Sequence, residues 1–242
     1  MFSKPCLVAL LWCIPLIYFP PAYSFSFEMS IVGLSSKVVV KPDFVAPFLQ
    51  AFKRYARLTR TEPDCLQFVI GRQVDPVAEN VFFSHNQFRD AAALETHEKT
   101  SHFLEFREQT QAYLDESLPG VTSLYKCPHE PVERQPTSGY CLNVESIVKP
   151  ELVEDYDQLI ISHSANSRKE PACIQFDWGK AEPNEEGQVS FFFHEEYIDR
   201  AGFEAHTVTP HFERFVKFNE SKLPYVIPQI VDFFEIIDYT KE

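Results

Sequence analysis

Glu195, Tyr197 and His206 bring a carboxyl, a phenol and an imidazole into one short stretch of chain. Side chains alternate along a strand, so Phe193, Glu195 and Tyr197 share one face of a strand over 189–197, while Phe192, His194 and Glu196 share the other. If His206 reaches the first set from the following helix, the three polar groups line one aromatic pocket with Phe193 at its wall. Such a pocket holds the apolar body of a planar phenol or enol and moves protons at its polar edge. Glu195, Tyr197 and His206 are therefore the candidate catalytic residues. The competing reading of His206 is a buried imidazole whose carboxylate partner fixes a loop.

The same pattern occurs upstream. E-P-D-C-L-Q-F over 62–68 is answered by E-P-A-C-I-Q-F over 170–176, an offset of 108 residues, and H-E-K-T-S-H-F over 97–103 by H-T-V-T-P-H-F over 206–212, an offset of 109. Lys41-Pro42 answers Lys149-Pro150. Landmarks at nearly constant offset indicate a duplicated unit of about 105 residues, small enough to need help closing its core. In the first copy Asn86 stands for Glu195, Phe88 for Tyr197 and His97 for His206. Asparagine cannot act as a carboxylate base, so activity is expected mainly in the second copy. Asn86, His97, His102 and His211 join Phe193 as candidate ligand-binding residues, with a structural contact to the preceding turn as the other reading of His102 and His211.

No metal is expected. Histidines five apart on a continuous helix point about 140° apart, so His206 and His211 are not an i,i+4 ligand pair. A break at Pro210 brings them closer, but no nearby cysteine completes a set. Neither a dinucleotide glycine fingerprint nor a phosphate loop occurs, and no cofactor is expected.

Strands are expected at 37–41, 65–72, 81–88 and 120–127, with a loop over 74–80. Phe44, Phe48, Phe52 and Tyr55 recur at helical spacing behind a cap at Asp43, and further helices follow Asp90 and Thr100. The second copy repeats this order through strands at 140–148, 173–180, 189–197 and 230–237, with helical segments after Leu152, Asp199 and Thr209-Pro210. Each unit reads β-α-β-β-α(α)-β, a ferredoxin-like order in which helices cover one sheet face. Two such faces in one chain can cover each other, giving an α+β fold in which the repeats pair internally.

The chain has 242 residues, 45% of them hydrophobic, with 23 Phe and a net charge of −13. It has material for a core and no basic surface for nucleic acid. Residues 1–24 read as a signal peptide, with an apolar run over 6–19 and small residues at Ala22 and Ser24. This implies a secreted protein with no stable membrane association after cleavage; the Ser24-Phe25 junction also resembles the first part of a plastid-targeting signal. Residues 37–127 and 140–238 are the expected domains, and the proline-bearing segment 128–139 the linker. Cys127 and Cys141 flank that linker and are a candidate disulfide in an oxidising compartment.

The K-P, E-P-x-C-[LI]-x-F and H-x-x-T-x-H-F landmarks, in both copies, resemble the antibiotic-biosynthesis-monooxygenase family, which includes quinol monooxygenases and autoinducer-phosphate isomerases. The resemblance implies an intramolecular version of the dimeric α+β barrel. It also implies a cofactor-independent monooxygenase acting with molecular oxygen on a small phenolic or quinol molecule. An enediol isomerase taking an enolisable substrate, or a non-enzymatic ligand-binding or stress-related barrel, are its alternatives.

Overall fold

The computed structural model describes residues 30–118, 120–129, 131 and 139–238. The expected signal segment and most of the linker lie outside the described residues. Eight strands run in chain order, β1 Ile31–Val39, β2 Cys65–Asp75, β3 Val77–Phe88, β4 Val121–Cys127, β5 Tyr140–Val148, β6 Cys173–Lys180, β7 Val189–Tyr197 and β8 Ile230–Asp238. Helices α1 Val45–Thr59, α2 Ala91–His97 and α3 Ser101–Thr110 belong to the first copy, and α4 Val153–Ser167, α5 Arg200–His206 and α6 Pro210–Lys222 to the second.

Local chemistry accounts for most helix starts. The Asp90 and Asp199 carboxylates accept from the N–H groups of Ala93 and Gly202 at 2.8 Å, and the Thr100 and Thr209 hydroxyls accept from Phe103 and Phe212. Asp43 does not cap α1: Pro42–Phe44 forms a 3-10 turn, and no side chain caps the helix behind it. The loop expected over 74–80 is also absent. There β2 and β3 form one long hairpin, with Val74 opposite Val77. Likewise β1 begins at Ile31, upstream of its valine run, because Gly33, Ser35 and Ser36 pair with β3 and β4 despite their low strand preference.

The strands close into one antiparallel barrel of order β1-β3-β2-β8-β5-β7-β6-β4. Each copy contributes a 4-1-3-2 sheet, and the sheets join edge to edge at β2·β8 and β4·β6. Closure leaves no free sheet edge and places the helices outside. Equivalent glycines mark both seams. A Cβ on Gly71 would overlap the Phe234 ring, and one on Gly179 the backbone of Lys126.

The barrel interior is only partly apolar. Val69, Phe83, Phe234 and Ile236 pack together there, but Gln67 and Gln175 also exchange amide hydrogen bonds at 2.7 Å, and the His85 and His194 rings stack at 3.8 Å. These pairs join equivalent positions of the two copies, so they lie along the internal pseudo-twofold. Cys127 and Cys141 are not joined to each other and occupy different interior clusters, which overturns the candidate disulfide. No helix among the described residues is long and apolar enough to cross a membrane.

Candidate functional site

In the first copy, α1, α2 and α3 lie over the outer face of β1 and β3. Phe48, Phe52 and Tyr55 from α1 and Phe88 from β3 meet Phe103 and Phe106 from α3. Between them is a cavity of about 80 Å³, lined by these rings and by Ser84, Asn86 and His97. The Tyr55 hydroxyl and His97 Nε2 are 2.8 Å apart, and His97 Nδ1 lies 2.8 Å from Glu62 Oε1. With Nδ1 protonated, His97 donates to Glu62 and accepts from Tyr55, a phenol-imidazole-carboxylate relay opening on the cavity. Burial, then the Glu62 charge, holds the Tyr55 phenol well above its usual pKa. Among the described residues the Asn86 amide oxygen has no hydrogen-bond partner.

The second copy does assemble the expected polar set. Tyr197 donates to Glu195 Oε2 at 2.8 Å, and its ring centroid lies 5.3 Å from that of His206. Burial pushes the Glu195 carboxyl up to about 8, so it holds its proton at neutral pH far more than a free carboxyl does. His206 Nδ1 contacts Glu170 Oε1 at 2.8 Å, while its Nε2 lacks a hydrogen-bond partner among the described residues.

The space around this set is filled differently. Phe193 replaces Ser84, and with Tyr156, Phe176, Trp178 and Phe191 it forms the second helix-facing core. His163 stands where the first copy has Tyr55. Burial, with the neighbouring His206 and His211, pushes its imidazole down to about 3. A second cavity, of about 150 Å³, is bordered by Phe193, by Glu145 and by the Lys37–Asp232 ion pair.

His102 Nε2 and His211 Nε2 approach Glu62 Oε1 and Glu170 Oε1 at 2.7 and 2.6 Å. Each carboxylate thus ties two imidazoles across the break between consecutive helices. Such a group can hold a metal ion, which reasoning from helix periodicity missed because the two histidines stand on separate helices. Glu62, Glu170 and Tyr55 were also missed as site residues. The glutamates lay in plain view inside the repeated E-P-x-C motif, and Tyr55 was read only as one member of an apolar helix face.

The sequence pattern of the family described as antibiotic biosynthesis monooxygenase matches residues 31–109 and 139–217. The chain belongs to this family. Both matches fall on the duplicated units, so the family domain occurs twice. Among solved structures, a candidate monooxygenase from Lactobacillus acidophilus NCFM is 14% identical, with 88% of this chain and 97% of that one aligned at a TM-score of 0.68. One from Fusobacterium nucleatum is 12% identical over 88% and 94%, at 0.71. An anthrone oxidase-like protein is 10% identical over 88% and 94%, at 0.60. At these identities the likeness is one of fold, and it spans both copies of the family domain. No curated protein matches the sequence.

Proposed function

We propose that this family member is a cofactor-independent monooxygenase for a small phenolic or quinol substrate, bound in the cavity of the first copy. The observation that carries this reading is the Tyr55-His97-Glu62 relay beside an aromatic cavity that is partly open to solvent. The aromatic walls suit a planar ring, and the Asn86 amide can orient a substrate oxygen. A substrate hydroxyl gives its proton to Tyr55 as Tyr55 passes its own to His97 Nε2, and the Glu62 carboxylate stabilises the resulting imidazolium. The electron-rich anion left in the pocket reduces dioxygen. One oxygen atom enters the substrate and the other leaves as water, with both electrons and both protons drawn from the substrate, so the balance needs no flavin or metal. Within this reading the second copy, with Glu195 holding its proton more firmly than a free carboxyl and Phe193 in place of Ser84, is the less active partner, the reverse of the division expected from the carboxyl at Glu195.

Oxygen uptake and product formation across a panel of quinols and enediols test the reading. Tyr55→Phe and His97→Ala are expected to lower turnover by about 10- to 1000-fold, and Asn86→Ala by less. Glu195→Gln is expected to leave turnover within a few-fold. A large loss in Glu195→Gln with undiminished Tyr55→Phe would return the activity to the second copy. Turnover of an enediol without oxygen uptake would favour an isomerase, and binding without turnover a ligand-binding barrel.

A further inference from the structure

The Glu-His-His group beside the relay has a twin in the second copy. One donor atom from each of Glu62, His97 and His102 lies within 4.8 Å of the other two, and the same holds for Glu170, His206 and His211. We propose that each group is a binding site for a divalent transition metal, one per copy.

Two imidazole nitrogens and one carboxylate oxygen form a borderline donor set. It suits zinc, cobalt, nickel or ferrous iron and leaves coordination positions for water, whereas calcium and magnesium prefer all-oxygen sites. The glutamate side chains are 15% and 14% exposed, which gives an ion an entry path, while His97 and His206 lie deeper, at 3% and 1%. In the first copy the far nitrogen of His97 is held by Tyr55, the kind of outer contact that orients a metal-ligating imidazole.

The two copies differ where a pocket would differ and agree here. Tyr55, Ser84, Asn86 and Phe88 are replaced by His163, Phe193, Glu195 and Tyr197. All three donor residues persist, and so does the neighbouring threonine, Thr100 or Thr209, 3.3 Å from the second histidine. Without metal, each carboxylate oxygen accepts from two imidazole N–H groups. An ion takes the place of those two protons. His97 then carries its proton on Nε2 and donates to the Tyr55 oxygen, so the Tyr55 hydroxyl hydrogen is released from the relay. Occupancy of the first site thus changes the Tyr55 hydroxyl from a donor to an acceptor towards His97 and leaves its hydrogen available to the cavity.

The test uses the full chain, stripped with EDTA and titrated with Zn2+ by calorimetry and with Co2+ by visible absorption. Two equivalents are expected to bind with micromolar affinity or tighter. Glu62→Gln and Glu170→Gln should each remove one equivalent, and the double variant both; glutamine keeps an oxygen acceptor for the imidazoles, so the fold is retained. Should either variant unfold by circular dichroism, histidine 1H–15N spectra of the unmodified chain locate the ion instead, with Zn2+ moving the His97, His102, His206 and His211 signals. Absence of saturable binding to the unmodified chain, an unchanged stoichiometry in the folded double variant, or Zn2+ shifts confined to other histidines would overturn the proposal. None of these readouts depends on a substrate, so they stand apart from the monooxygenase reading.

Discussion

Glu195 and His163 are buried in the same helix-facing layer and resist ionisation from opposite sides of neutrality. Burial raises the Glu195 carboxyl from 4.5 to about 8, so its contribution to stability is complete below the unfolded value and is lost as pH rises through the folded one. Burial lowers the His163 imidazole from 6.5 to about 3, so its contribution is complete above the unfolded value and is lost as pH falls through the folded one. The two slopes offset between 4.5 and 6.5, where the pair gives a plateau of stability. At about 1.4 kcal/mol per unit of pKa shift, each loss is of the order of a few kcal/mol. Glu195→Gln is expected to flatten the alkaline side, gaining stability relative to the unmodified chain at about pH 9 but not at about pH 5. Urea denaturation at the two pH values checks this, and parallel curves would count against it. His163→Phe should flatten the acid side in the same way.

At the scale of the elements, the seams between copies depend on backbone approach. Gly71 and Gly179 occupy equivalent places on β2 and β6, and each lets a strand of the other copy come close. Gly71→Ala and Gly179→Ala are each expected to cost about 1 to 3 kcal/mol by overpacking, measured as a lower denaturant midpoint. The Gly71 effect should be the larger, because β2·β8 pairs along most of its length whereas β4·β6 meets at Lys126 and Lys180 alone. Helix caps act on a smaller scale: Asp90→Ala should cost about 1 kcal/mol through the lost acceptor at Ala93, and its twin Asp199→Ala a similar amount. A loss beyond about 3 kcal/mol at either cap would mean that the aspartate does more than terminate a helix.

At the scale of the molecule, closure makes the copies interdependent. The Gln67–Gln175 exchange, the His85–His194 stack and the Gln87–Asp177 bond all cross the barrel interior from one copy to the other. Parting the two copies would expose four sheet edges, β2, β8, β4 and β6, and leave these buried polar groups unpaired, a large penalty in an apolar setting. Thermal unfolding of the whole chain is therefore expected as one calorimetric transition. Residues 31–127 expressed alone should either self-associate through the exposed edges or fail to fold, as read by size-exclusion chromatography and circular dichroism. Two well-separated transitions, or a stable monomeric first copy, would show that the barrel is a docking of independent units.

The repeat offset, the strand-helix order and the internal pairing could be read from the sequence because they rest on local periodicity, capping residues and two repeated motifs. So could the proximity of Glu195, Tyr197 and His206, which alternation along β7 and the start of the next helix nearly dictate. The polar barrel interior was not legible: Gln67, His85, Gln175 and Asp177 look like surface residues on alternating strands until closure buries them. The Cys127–Cys141 pairing failed for a related reason, since nearness in sequence across a linker says nothing about where two strands enter a closed barrel. Only tertiary packing decided which copy holds an open cavity, because that depends on how neighbouring elements fill the space that Ser84 leaves and Phe193 occupies. It also decided that Glu62 and Glu170 each gather two histidines from separate helices, because a turn and a helix break remove the fixed angular relation on which spacing rules rely.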